Sequence, residues 1–75
     1  MELSQIRGDL KKLIRLLPED QKEVLIMRHY YQMSFKEIAE MTNVSINTAL
    51  GRMRYALMNL RKMISEKELN MYIGQ

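Results

Sequence analysis

The sequence predicts an all-α fold, a small four-helix domain containing a helix-turn-helix whose last helix is long. Three observations carry this. Apolar residues recur at steps of three and four along most of the 75 residues, and no stretch alternates as a strand would. Cap signals at Ser34 and Ser45 bracket a short helix and open a longer one. The chain has no cysteine, so neither disulfides nor a thiolate zinc site can hold so small a core, and packed helices must do so alone.

The first helix is expected over residues 3–16. Leu3, Ile6, Leu10, Leu13 and Leu17 fall on one stripe, while Gly8 inside it costs about 1 kcal/mol relative to alanine and weakens the first turns. Pro18 ends that pattern, since proline disfavours helix in the residue before it yet fits the first turn of the next. A second helix over 18–31 follows, with Glu19, Asp20 and Glu23 where the helix dipole favours negative charge and Arg28 and His29 where it favours positive charge. Tyr30 and Tyr31 are expected to pack the join to the third helix.

The third helix, 35–42, opens with Ser34 and Glu37 at the spacing of a reciprocal capping box, and Phe35, Ile38, Ala39 and Thr42 form its inward face. Asn43 tolerates the left-handed conformation, so "TNV" can reverse the chain without glycine. Ser45 then caps a fourth helix over 45–64. Wound at 100° per residue, Ala49, Met53, Ala56, Leu60 and Met63 lie within about 80° of one another and form its inward stripe. Residues 65–75 keep a weaker pattern in Leu69, Met71 and Ile73, and read as a frayed extension or a tail ordered by a partner.

Composition bounds what such a domain can be. At 47% hydrophobic and 28% charged residues the chain is too apolar for disorder, and 1–75 is a single domain. Its longest aliphatic run, Val24 to Met27, is far short of the roughly 20 residues of a membrane span, and no basic-then-apolar leader opens the chain. The expectation is a cytoplasmic chain with no membrane partner. Charge is unevenly placed. Residues 1–44 carry seven Lys/Arg against seven Asp/Glu, so the net +3 resides in Arg52, Arg54, Arg61, Lys62 and Lys67 against Glu66 and Glu68.

Opposite its inward stripe, the fourth helix presents Asn47, Gly51, Arg54 and Tyr55, with Thr48 and Arg52 on one flank and Leu50 on the other. These types suit a helix that reads a DNA groove. Arginine offers a two-pronged donor to guanine, asparagine pairs with adenine, glycine admits close approach, and leucine can touch a thymine methyl. The amide-rich helix starts at Ser34, Phe35 and Lys36 and at Ser45 to Asn47, with the side chains of Lys36, Arg52 and Arg61, suit phosphates. A short helix, a turn and a longer helix also occur in plain bundles, where a basic face is solvated surface. The cap, turn and cap beside an acid-free helix favour the DNA reader.

The stretch from Leu17 to Lys62 resembles region four of bacterial sigma factors of the extracytoplasmic-function group, a likeness running from Leu10 to Ile64. It rests on Leu17 and Pro18 opening the second helix, Ser34 to Glu40 as a Ser-aromatic-Lys-Glu-Ile-Ala-Glu third helix, and the Ser-Ile-Asn-Thr opening at Ser45 to Thr48. The resemblance implies that the fourth helix is a recognition helix for the −35 promoter element in double-stranded DNA, while an apolar surface grips the flap of the RNA polymerase beta subunit. Carried over, Asn47, Thr48, Gly51, Arg52, Arg54 and Tyr55 are base and phosphate contacts, with Ser34, Phe35 and Lys36 on the backbone. Many relatives have a lysine and then a serine where this chain has Leu50 and Gly51. The region that opens the −10 element is missing, so these residues alone are not expected to start transcription, and an excised domain or a partial homologue is expected.

Two further readings stay open at this stage. One is the helix-turn-helix output domain of a response regulator, which would dimerise on paired half-sites. The other is a protein-interaction module that binds polymerase or an anti-sigma factor through the Leu3 to Leu17 stripe or the face around Met58, with DNA contact secondary, whereas the leading DNA-binding reading expects a monomer when isolated. Enzymatic chemistry is not expected. His29 is the single histidine and has no metal-ligand spacing around it, the Glu19/Asp20/Glu23 group is explained by a helix start, and no phosphate loop, nucleophile pair or metal motif is present. No cofactor is expected, and most of the eight methionines read as gap-filling core residues.

Overall fold

The structure, a computed structural model, describes the backbone of residues 10–72 and the side chains of residues 10–66. Four helices and no strand occur among the described residues. They are α1, described over 10–15, α2 (Glu19–His29), α3 (Phe35–Thr42) and α4 (Ile46–Tyr72). The expected contributions of Leu3, Ile6 and Gly8 to α1, and of Ile73 and the side chains of Leu69 and Met71 to the tail, lie outside the described residues.

Each boundary has a local cause. The last turn of α1 tightens, with Leu16 N–H donating to Leu13 C=O at 3.0 Å and Leu17 N–H to Ile14 C=O at 3.1 Å, before Pro18 stops it. Pro18 is the extended residue preceding α2 (φ −53°, ψ 149°) and not its first helical residue, so the helix starts one residue later than its periodicity suggested. Its carbonyl accepts the first helical bond, from Lys22 N–H at 2.9 Å. With no side-chain cap available, Glu19 and Asp20 in the first turn oppose the exposed amides electrostatically.

The other end of α2 corrects an expectation. The helix stops at His29, short of residue 31, and the chain turns through Gln32 at a φ of 54°. Tyr30 and Tyr31 do not pack the join; they are 48% and 72% exposed. The turn swings Met33 and Phe35 inward instead. Arg28 bolts this corner, its Nη1 donating to Met33 C=O at 3.0 Å and its guanidinium lying 5.0 Å from the centre of the Phe35 ring.

The start and end of α3 follow the sequence closely. Ser34 Oγ accepts from Glu37 N–H at 3.1 Å while Ser34 N–H donates to Glu37 Oε1 at 2.8 Å, completing the capping box. At the far end Asn43 is left-handed (φ 59°, ψ 45°), with its N–H on Glu40 C=O and Val44 N–H on Ala39 C=O, the paired bonds of a Schellman turn. Ser45 Oγ then accepts from Thr48 N–H at 3.1 Å and caps α4. That helix runs on to Tyr72, past the expected end at Ile64. Ser65 to Tyr72 contains no glycine or proline, and Glu66, Lys67, Glu68 and Leu69 are good helix formers.

Two apolar clusters meet on α4. Ile14, Leu17 and Leu25 pack with Ala56 and Leu60, while Val24, Ile38 and Ala39 pack with Ala49. Met53 touches both clusters, so α4 is a wall shared by everything else. Two polar ties reinforce it from α2, with Asn59 Nδ2 donating to Gln21 Oε1 at 2.7 Å and Arg52 Nε lying 3.6 Å from Asp20 Oδ2.

Ile38 is fully buried, and its truncation leaves a void that the surrounding helices cannot wholly close. Ile38→Ala should lower stability by about 2–5 kcal/mol in urea denaturation. The capping box predicts a pH effect. Donation from the Ser34 backbone, then from its hydroxyl-bearing side chain, holds the Glu37 carboxyl below the ordinary glutamate value. Its folded pKa being the lower one, the stabilisation is complete above the ordinary range and is lost as pH falls through the depressed value. Denaturation midpoints of wild type and Glu37→Gln should therefore differ by a constant amount near neutrality and converge in acid.

Candidate nucleic-acid interface

The capped turn fixes α3 and α4 as one piece, and this decides where the start of α4 points. Ala49, Met53 and Ala56 hold one side of the helix inward. A 100° step per residue then sends Asn47, Arg54 and Tyr55 away from the body, and all three are exposed. Thr48 and Leu50 are exposed on the flanks, and Gly51 and Arg52 are half-buried. Ser34, Lys36 and Ser45 are exposed at the two helix starts.

The two starts differ as places for an anion. At α3 the Ser34 amide is already occupied by the chain's own Glu37 carboxylate, leaving the Lys36 side chain as the cationic group there. At α4 the first turn contains no acidic residue, and the amides of Ile46 and Asn47 precede the one taken by Ser45. Ser45 Oγ also donates to Thr48 Oγ1 at 3.0 Å, which leaves the exposed Thr48 hydroxyl proton available to another acceptor. Phe35 is turned inward under Arg28, so its ring is placed for packing.

Among the cationic side chains, Arg54 and Arg52 are in different situations. Arg54 is exposed and has no acidic partner within ion-pair distance among the described residues, whereas Arg52 lies against Asp20. Gly51 is instructive in another way. A Cβ built there would meet nothing within 4 Å, so no packing inside the chain calls for glycine. A mid-helix glycine costs about 1 kcal/mol relative to alanine. No steric need within the fold offsets that cost.

Beside the reading face, Ile46, Leu50, Leu57 and Ile64 follow one another at helical spacing along α4, each 37–46% exposed. An open cleft lined by Arg28, His29, Gln32 and Met53 adjoins this apolar flank. Sequence reasoning named Leu50 alone among the flank residues, although Ile46, Leu57 and Ile64 share its register. It read Arg28 and Asp20 only as helix-end charges, because their partners Met33, Phe35 and Arg52 lie around a turn with no glycine to announce it or far along the chain. Among the described residues, no group of three or more His, Cys, Asp or Glu could hold a metal ion, and no helix is long and apolar enough to cross a membrane.

Gly51→Ala should raise thermal stability, by about 0.5–1 kcal/mol, because a helix-interior glycine is replaced without a clash. If the space over Gly51 is used by a ligand, the same variant should bind duplex DNA more weakly, and paired melting and anisotropy measurements check both halves.

The family described as sigma-70, region 4 has a model that matches residues 7–63, and the chain belongs to that family. No curated protein and no solved structure matches the chain. Membership carries a non-catalytic role in transcription initiation, in which this kind of domain meets promoter DNA around the −35 element and RNA polymerase.

Proposed function

We propose that this sigma-70 region 4 domain, of the extracytoplasmic-function type by its motifs, lays the first turns of α4 in the major groove of a −35-type element. Arg54 and Asn47 reach base edges, and Tyr55 and Leu50 make the apolar contacts beside them. Lys36, Thr48 and the free amides at the start of α4 hold the phosphate backbone, and Gly51 admits it closely. The observation that carries this reading is the exposed, acid-free face holding Asn47, Arg54 and a glycine that nothing inside the chain requires.

Binding by the isolated domain is expected to be weak. A small monomer makes few phosphate contacts, and sequence-independent binding is typically about 10⁻⁴ to 10⁻⁶ M. Docking on polymerase supplies the missing free energy as effective concentration. Further along α4, the exposed Leu57 and Ile64, on the flank next to the cleft at Arg28 and His29, support a docking surface for the beta flap. An anti-sigma factor competing for polymerase would cover that same flank. Leu13, by contrast, packs against the first cluster, so a charge placed there tests folding.

DNA and polymerase contacts should separate by mutation. Arg54→Ala should weaken binding to the cognate duplex by about 1–3 kcal/mol while leaving flap binding unchanged. Leu57→Glu should do the reverse, abolishing flap binding with little effect on duplex affinity. Anisotropy with labelled duplex and pull-down on the isolated flap would read the two. Equal loss of both activities in each variant would sink the division of faces.

A further inference from the structure

Arg52 stands at the edge of the proposed reading face, yet its guanidinium is directed to the start of α2. Its Nε lies 3.6 Å from Asp20 Oδ2, and its side chain is only 28% exposed against 54% for Asp20. Asp20 is itself well held. Its other oxygen, Oδ1, accepts from Gln21 N–H at 2.9 Å, and the carboxylate sits in the first turn of α2, where the helix dipole favours its ionised form. The neighbouring Gln21 bridges to Asn59 at 2.7 Å, two turns along α4 from Arg52, and fixes the spacing of the two helices at this point. The acceptor is thus preorganised, and the arginine comes to it.

We propose that Asp20 is a positioning residue that withholds Arg52 from the DNA backbone, so that the chain binds its duplex with one phosphate contact fewer than its basic residues would allow. The inference rests on the DNA reading given above. At 3.6 Å the pair is longer than a good charge-assisted hydrogen bond, and its hold on Arg52 comes from the half-buried arginine side chain lying against a carboxylate that Gln21 N–H already fixes. Asp20 acts as a brake on non-specific grip. Every phosphate contact strengthens binding to all sequences alike, and a domain that must find one short element gains selectivity when a flank charge is kept occupied. The neighbouring acid, Glu19, is paired at 3.0 Å with Lys22 on its own helix and supplies a control charge with no reach to α4.

The test is a salt titration of mixed-sequence duplex binding by the full chain as wild type, Asp20→Asn, Arg52→Ala, the double variant and Glu19→Gln. Asp20→Asn should steepen the slope of log affinity against log salt by about 0.9, an extra loss of about 3.5-fold between 50 and 200 mM. Arg52→Ala should leave the wild-type slope unchanged, and the double variant should match Arg52→Ala. A slope made shallower by about 0.9 in Arg52→Ala alone means that Arg52 already holds a phosphate, which overturns the proposal. So does equal steepening in Asp20→Asn, the double variant and Glu19→Gln, since that is a general charge effect. Amide spectra confirm that each variant is folded, and the Arg52 Nε–H resonance should change in Asp20→Asn without DNA present. Salt-insensitive or absent binding by every variant, with Arg54→Ala no different from wild type, would instead remove the DNA reading on which the inference stands.

Discussion

The approach of α4 to α2 and α3 depends on two alanines. Ala49 and Ala56 are both without exposure, one in each apolar cluster, and a larger side chain at either would have to displace its packed neighbours. Small side chains at these positions bring the helix close enough for Val24 and Ile38 on one side and Leu17 and Leu25 on the other to close over it. Met53, between them, has the flexible chain needed to fill both clusters at once. The face that remains outward is therefore a consequence of packing, and the residues proposed to read DNA are those that packing leaves over.

The turn between α3 and α4 adds direction to that contact. A capping box, a left-handed asparagine and a serine cap follow one another within twelve residues, Ser34 to Ser45, and all their bonds are local. Local bonds define the angle between two helices without drawing on the core. The polar ties from α2 act differently, because Asp20 to Arg52 and Gln21 to Asn59 join residues far apart in the chain. They hold α4 along its length and also occupy side chains that could otherwise serve a ligand.

Legibility in the sequence divides along the same line. Ser34 with Glu37, Asn43 and Ser45 could be read directly, because a cap is a pattern of types at fixed spacing within one turn. The Ala49, Met53, Ala56 and Leu60 stripe was equally readable from periodicity. The end of α2 was not. Gln32 takes a left-handed conformation that its type does not advertise, and it sends Tyr30 and Tyr31 outward while Met33 and Phe35 go in. The far end of α4 was understated because its apolar pattern fades at Ile64 while helix propensity does not. At the site, exposure of Asn47, Arg54 and Tyr55 followed from winding the helix, but the diversion of Arg52 to Asp20 required the fold, since no period links positions on α2 and α4.

The outward turn of the tyrosines also determines what the molecule looks like to light. The chain has no tryptophan, and among the described side chains Tyr30, Tyr31 and Tyr55 are 48%, 72% and 58% exposed in the folded state. Unfolding therefore changes the exposure of the Tyr31 ring least, while Tyr30 also loses its edge-on contact with His29. Tyr55, on the face left open by α4, is in the opposite position with respect to a ligand: anything seated against that helix alters its surroundings at once. Of the tyrosines whose side chains are described, Tyr55 is the one placed to report whether the domain is occupied.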